Sequence, residues 1–310
     1  LRGTEKIKSK LKKEVKEKMK KLICSVMVIA LVAISLVGCG SSNNSSSDSS
    51  NGNKVTGDIT VVSREDGSGT RGAFTELLGI VDDKENDATT ESAEITNSTS
   101  VMMTTVQGND NAIGYVSLGS LSDSVKEVTV DGIKGTAENV KSGKYKISRP
   151  FNLCYYDGKL SKLAEDLINF IMSDEGQKTV DKEGYISVES GKPYKASGLK
   201  GKITVAGSTS VAPLMNVIAD EYKKLNPGVT IEIQESGSTA GIQSATEKAV
   251  DIGMSSRELK DDEAKTLATK KIAMDGIAVI VNKNNSIDNL TSDQIKSIYL
   301  GETTSWDHIK

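Results

Sequence analysis

Ile203-Thr204-Val205-Ala206-Gly207-Ser208-Thr209-Ser210 is an apolar run that ends in a small, hydroxyl-rich turn. It leads directly into Val211, Leu214, Ile218, Tyr222 and Leu225, which share one helical stripe until Asn226-Pro227-Gly228 stops it. A two-residue period giving way to a 3.6-residue period across four small residues is a strand feeding a helix. The same phrase occurs earlier in the chain. Ile59-Thr60-Val61-Val62-Ser63 passes through Arg64-Glu65-Asp66-Gly67-Ser68-Gly69-Thr70-Arg71 into a helix expected over 72–78. Further strands are expected at 112–116, 230–234 and 277–281, and a second helical stripe at Leu160, Leu163, Leu167, Phe170 and Ile171. Strands alternating with helices define an α/β fold whose sheets are covered by helices. With 28 Gly against 4 Pro, the chain can make the many tight strand-to-helix turns this needs.

Those turns also carry chemistry. The first turn of a helix presents unpaired backbone N–H groups and partial positive charge, and Gly lets a tetrahedral oxyanion approach the backbone. Three such turns stand out: 207–210, Ser236-Gly237-Ser238-Thr239-Ala240-Gly241, and 67–70 beside Arg64. A lone Ser or Thr before a helix is ordinarily an N-cap, so the signal lies in having three. The Gly-x-x-x-x-Gly-Lys-Ser/Thr spacing of a nucleotide loop is absent, as is a Gly-x-Ser-x-Gly elbow served by a His. The only His, His308, rules out a multi-His metal centre. Cys154, within Leu153-Cys154-Tyr155-Tyr156, reads as a buried strand thiol with no His to activate it.

Charge is distributed unevenly. Residues 1–38 hold ten Lys and Arg against three Asp and Glu, leaving 29 basic and 39 acidic side chains, a net of −10, for the rest. Such a body has no electrostatic footprint for nucleic acid, and an anion must be held by local donors against the mean field. Lys20-Lys21 precede an apolar stretch from Leu22 to Val37 that ends in Leu36-Val37-Gly38-Cys39. This is the pattern of an export signal, and its end resembles the lipobox of bacterial lipoproteins, implying cleavage and lipid attachment at Cys39. The expected start is Met19, with residues 1–18 an upstream extension, and residues 40–57 are a Ser/Asn-rich tether. The expectation is a protein exported and anchored to the outer face of the cell membrane.

Ala206–Pro213, Glu235–Gly241, Asp251-Ile252-Gly253-Met254-Ser255-Ser256-Arg257, Asp275–Val281 and Arg64–Thr70 together resemble the signature segments of the phosphate-binding proteins of Pst-type ABC importers. Ile113-Gly114-Tyr115-Val116 and Phe170–Gln177 fit the same family. The resemblance implies a two-lobed type II periplasmic-binding-protein-like fold with inorganic phosphate in the cleft, no cofactor, no metal, no catalysis, and an ABC permease as partner to a monomer. It implies phosphate donors at Thr209, Ser210, Ser238, Ser256, Ser68, Gly69 and Thr70, with Arg64 as the full positive charge. Asp66 is expected to hold Arg64 and to supply an acceptor, with Ser208 and Arg257 in support. Many family members carry Asp where Ser256 stands, a departure that bears on the choice between phosphate and sulfate.

The order of the halves is reversed relative to the family's usual one, so a circular permutation is expected, with 187–202 as the joining segment. The expected lobes are 58–148 with 280–310, and 151–278, joined by strands crossing near 146–155 and 276–282. Competing readings are a binder of another oxyanion such as sulfate or molybdate, a secreted phosphate-ester hydrolase, and a structural surface protein. The hydrolase lacks a visible nucleophile–base pair, and an adhesin has no use for Arg64 beside three such turns.

Overall fold

The computed structural model describes residues 55–189 and 191–309. The signal segment, Met19, Cys39 and tether residues 40–54 lie outside the described residues.

The chain runs β1 (Thr60–Arg64), α1 (Gly69–Leu77), β2 (Glu94–Thr96), α2 (Thr99–Gln107), β3 (Ala112–Ser117), β4 (Lys126–Val130), α3 (Ala137–Lys141) and β5 (Ser148–Tyr156). It continues through α4 (Lys162–Ile171), α5 (Asp174–Lys182), β6 (Ile186–Ser187), β7 (Gly201–Gly207), α6 (Ala212–Leu225), β8 (Val229–Glu235), α7 (Ser238–Thr246) and β9 (Ile252–Ser255). The long β10 (Leu267–Val281), β11 (Asn289–Leu290) and α8 (Ser292–Tyr299) complete it. The two strand–turn–helix phrases form as their periodicity predicts. Leu225 departs from its expected stripe and is exposed, while Leu214, Met215, Ile218 and Tyr222 are buried.

The sheet order is β2-β1-β3-β10-β5-β9-β7-β8, and it changes direction where β10 changes partner. Residues 267–276 of β10 pair antiparallel with β5, and residues 277–281 pair with β3 and β4. Two main hydrophobic cores sit on either side of that change. One gathers Val61–Ile147 and Ile277–Ile309, joined by Ile186 of β6, and the other the remaining core residues of Phe151–Ala273. The chain therefore crosses between cores twice, near Ser148–Pro150 and near Met274–Gly276. Ile277 and Ala278 already pack in the first core, slightly ahead of the boundary expected at 278–280.

Small residues set several of the contacts. Gly114 faces Met102 and Val106 of α2, where a Cβ would lie 2.6 and 2.8 Å from their side chains, so α2 beds directly on β3. Gly207, at φ +140°, would drive a Cβ into the Met254 backbone, which pins β7 against β9 just where the hydroxyl-rich turn begins.

Candidate functional site

The first turn is carried by β7 and α6, the second by β8 and α7, and the third by β1 and α1. All three meet where the two cores face each other. Arg64 is 2% exposed, and its Nη2 donates to Thr209 Oγ1 at 3.0 Å. Thr70 Oγ1 and Ser210 Oγ lie 2.9 Å apart. Ser208 Oγ donates to Ser256 Oγ at 3.0 Å, and Ser256 Oγ lies 3.2 Å from Ser238 Oγ. The Ser256 amide donates to Ser238 Oγ at 3.1 Å. Backbone also joins the turns, because the Thr239 N–H donates to the Gly67 carbonyl at 3.0 Å. Gly69 is the point of closest approach. A Cβ there would collide with Ser238 Oγ and lie 2.7 Å from Ser256 Oγ. Ser68, 6% exposed, caps α1 at this junction, accepting from the Arg71 amide at 3.4 Å.

The sequence-predicted residues Arg64, Ser68, Gly69, Thr70, Ser208, Thr209, Ser210, Ser238 and Ser256 thus come together in one buried polar cluster. Asp66 does not. Its side chain is 98% exposed and accepts from Arg71 Nη1 at 3.0 Å on the outside of the turn. Glu65 holds Arg64 instead, with two bonds of 2.8 Å from Nε and Nη2 to its two carboxylate oxygens. The expectation that Asp66 grips Arg64 and supplies an acceptor is therefore corrected. Glu65 folds back along the guanidinium, while the left-handed Gly67 turn, at φ +83°, carries Asp66 to solvent. Arg257 lies at the rim, paired with both oxygens of Glu263 at 2.8 Å and reaching Thr239 Oγ1 at 3.3 Å. It borders a cavity of about 640 Å³ shared with Gly67, Ser68, Arg71, Arg149 and Thr239.

Three further residues belong to the cluster's surroundings and were not predicted for this place. Thr99, the first residue of α2, lies 3.3 Å from Thr209 Oγ1 and 3.2 Å from Ser210 Oγ. The strand ahead of it, β2, has only three residues, too short to register as a period. Arg149 and Asp275 face each other across β5 and β10 as a fully buried pair, with Nε and Nη2 at 3.2 and 3.1 Å from Oδ2. Burial raises the Asp275 carboxyl above its ordinary value and lowers the Arg149 guanidinium, while each charge supports the other. Arg149 Nη1 also donates to the Ser256 carbonyl at 3.3 Å, and Ser117 Oγ donates to Asp275 Oδ1 at 2.8 Å. The pair therefore ties β3 of the first core to the Ser256 turn of the second.

Tyr115 backs Arg64. Its hydroxyl accepts the Arg64 amide at 3.2 Å, and its ring stacks on Phe74 at 4.0 Å. Burial pushes the phenol up to about 12, so at neutral pH it is an uncharged hydrogen-bond partner. Burial likewise raises Cys154 to about 12, as befits a packed strand thiol.

Two α/β lobes bridged by crossing strands, with a buried polar face where helix-opening turns meet, define a bilobal solute-binding protein, and the PBP superfamily domain matches residues 44–175 and 192–309. "Phosphate-binding protein PstS 2" of Streptococcus agalactiae (serotype V) is 48% identical over 288 residues, covering 91% of this chain and 98% of that protein. "Phosphate-binding protein PstS 2" of Streptococcus pneumoniae (serotype 4) is 45% identical over 297 residues, 94% of this chain and all of that one. A crystal structure of a phosphate ABC transporter phosphate-binding protein from Streptococcus pneumoniae TIGR4 superposes with a TM-score of 0.66 at 48% identity, covering 82% of this chain and 100% of that one. The chain belongs to the PstS family of phosphate-binding proteins.

Proposed function

We propose that this chain captures inorganic phosphate between its two lobes and delivers it, unaltered, to an ABC permease. The observation that carries this reading is the meeting of three hydroxyl-bearing turns around a buried guanidinium, contributed by both cores. Thr209, Ser210, Ser238, Ser256, Ser68, Gly69 and Thr70 are the proposed donors, with Arg64 as the full positive charge. Ser208 orients Ser256, and Glu65 orients Arg64. Hydrogen bonds to a charged oxyanion are stronger than those between neutral hydroxyls, so an anion entering the cluster gains by replacing the hydroxyl–hydroxyl contacts. Arg64 is the cation that bonds the clustered hydroxyls, Arg149 stands behind them on the Ser256 carbonyl, and Glu65, the partner of Arg64, is 26% exposed at the edge, so the centre presents donors.

Ser256 supplies a hydroxyl that can donate or accept, which leaves sulfate and molybdate as the competing ligands. Calorimetric titration of the chain with phosphate, sulfate and molybdate at two pH values tests the reading. Tight phosphate binding with much weaker sulfate binding is expected, and heat from sulfate or molybdate alone would overturn it.

We also propose that the halves are circularly permuted, with lobes at about 58–148 plus 277–310 and at about 151–276. Support comes from the pairing of the two ends of the described body. The Ile59 amide donates to the Thr304 carbonyl at 2.8 Å, and the Trp306 amide to the Gly57 carbonyl at 2.9 Å. Export and lipidation at Cys39, with the monomeric body leashed to the outer face of the cell membrane, complete the proposal. Mass spectrometry of the mature N-terminus tests that part, and an unmodified chain carrying residues 20–38 would overturn it.

A further inference from the structure

Thr99 is the buried hydroxyl that the three-turn cradle does not account for. It is 5% exposed and opens α2, a nine-residue helix of the first core. Capping does not require its side chain, because Ser98 is the N-cap and its Oγ accepts the Val101 amide at 3.2 Å. The Thr99 hydroxyl turns inward and meets Thr209 Oγ1 and Ser210 Oγ at 3.3 and 3.2 Å, both on the facing lobe. Thr209 Oγ1 in turn takes the Arg64 Nη2 donor at 3.0 Å, and Ser210 Oγ lies 2.9 Å from Thr70 Oγ1. Thr99 therefore closes a chain of four hydroxyls that ends on the buried guanidinium. An isosteric Val would fill the same volume without burying a polar atom, so the hydroxyl has a use beyond packing.

The helix termini give a second, separate observation. Acidic side chains in the first turn stabilise a helix, and α3, α4, α5 and α8 carry Glu138, Glu165, Asp174 with Glu175, and Asp293 there. The four remaining helices among the described residues, α1, α2, α6 and α7, have none. These are the four whose opening turns meet at the cluster. A fixed carboxylate at such a terminus would compete with an incoming anion for the same N–H groups. α2 follows the rule of the three cradle helices, although it lies outside the three turns.

We propose that Thr99, with the opening turn of α2, is a fourth donor to the bound anion, a ligand-binding residue that also draws the first lobe onto Thr209 and Ser210. This rests on the phosphate-capture reading above. The hydroxyl donates to an anion oxygen, and the Thr209 and Ser210 hydroxyls keep their own hydrogens for the same ligand.

Calorimetric titration of the full chain with inorganic phosphate separates the possibilities. Thr99→Val is expected to weaken phosphate binding about tenfold or more, the scale of a hydrogen bond to a charged acceptor. Thr99→Ser, which keeps the hydroxyl, is expected to bind like the parent. Ser98→Ala removes only the cap, so it is expected to lower the unfolding temperature of the unliganded protein while keeping the affinity. A loss below about threefold for Thr99→Val, or a Thr99→Ser variant as weak as Thr99→Val, overturns the proposal. A crystal structure of the parent with phosphate decides the matter even if Thr99→Val fails to fold. Thr99 Oγ1 within hydrogen-bond distance of a phosphate oxygen supports it, and a longer separation overturns it. A parent chain that binds no phosphate sinks the underlying reading, whereas tight parent binding with an indifferent Thr99→Val sinks only this one.

Discussion

At the scale of single residues, the cradle depends on which neighbour of Arg64 restrains it. Two acidic residues follow Arg64 in the sequence, and nothing in their order says which folds back. The structure selects Glu65, whose carboxylate takes both Nε and Nη2, and sends Asp66 out to Arg71. Glu65→Gln keeps the shape but loses the charge-assisted fork, so phosphate affinity is expected to fall roughly five- to twentyfold, while Asp66→Asn stays within twofold of the parent. The reverse ranking in calorimetry would restore Asp66 to the role the sequence suggested for it. Gly69 makes a second test. Its Cβ position is occupied by the Ser238 and Ser256 hydroxyls, so Gly69→Ala must push the two lobes apart at their closest point. Overpacking of this kind costs about 1–3 kcal/mol, and the affinity for phosphate is expected to fall at least tenfold with little change in the unfolding of the unliganded chain. The three turns were legible, because in each a Gly, Ser and Thr run stands between a strand and a helix, whereas the individual donors were implied only by the family resemblance. The restraint on Arg64 was not legible, because it depends on a side-chain rotamer.

Elements explain why the donors stay in register. β10 was legible only over its apolar end, 277–281. Its first part runs through Thr269, Lys270 and Lys271, three successive exposed residues that break the apolar pattern and hide the strand's length. For the same reason the Arg149–Asp275 pair, separated by 126 residues, had no local signature. Asp275→Asn would leave the Arg149 charge buried and unpaired, a change of about 3–5 kcal/mol, and is expected to lower the unfolding temperature sharply. Replacing both residues by apolar ones of similar volume is expected to recover much of that stability but not the phosphate affinity, since Arg149 also holds the Ser256 carbonyl. Full recovery of both would make the pair a packing device only. The lobe rims carry a different kind of pair. Burial opposes ionisation of Asp87 and Glu263, but their bonds to Arg71 and Arg257, with the Thr89 and Lys260 groups, overcome it and hold both carboxyls below their ordinary values of 3.8 and 4.5. A carboxylate whose folded value is depressed contributes stability above its unfolded value and loses it as pH falls through the folded one. The unfolding temperature is therefore expected to be level from about pH 7 to 5 and to decline progressively below about 4.5. A decline starting near neutrality would point to other groups.

For the molecule as a whole, the question is whether the order of the halves matters to the fold. The α/β class could be read from periodicity alone, since each strand–turn–helix phrase is local, whereas the division into halves was implied by the family resemblance. How the halves close on each other could not be read, because that rests on pairing between distant ends. Gly57, Asp58 and Ile59 lie against Thr304, Ser305 and Trp306 through backbone bonds and a bridge between Asp58 and Ser305. A chain joined there would need only a short connection. The segment that joins the halves instead is exposed over much of its length, yet it is anchored. The Tyr194 hydroxyl donates to Asp166 Oδ2 at 2.6 Å, its ring stands edge-on to Phe170 at 5.1 Å, and Ser197 Oγ reaches the same carboxylate oxygen at 2.9 Å. Those anchors lie beyond Gly191, so a chain reopened just ahead of Gly191 would retain them on its new leading end. If packing rather than connectivity determines the cleft, a variant with residue 309 linked to residue 58 by a short Gly/Ser segment, and opened ahead of Gly191, should fold and bind phosphate within about threefold of the parent. Its unfolding temperature should fall by a few degrees at most, because no core side chain changes its neighbours. A relinked chain that folds but binds more than about tenfold more weakly would mean that the joining segment sets the lobe geometry. One that fails to fold would mean that the two ends, although adjacent, are not interchangeable with a covalent connection.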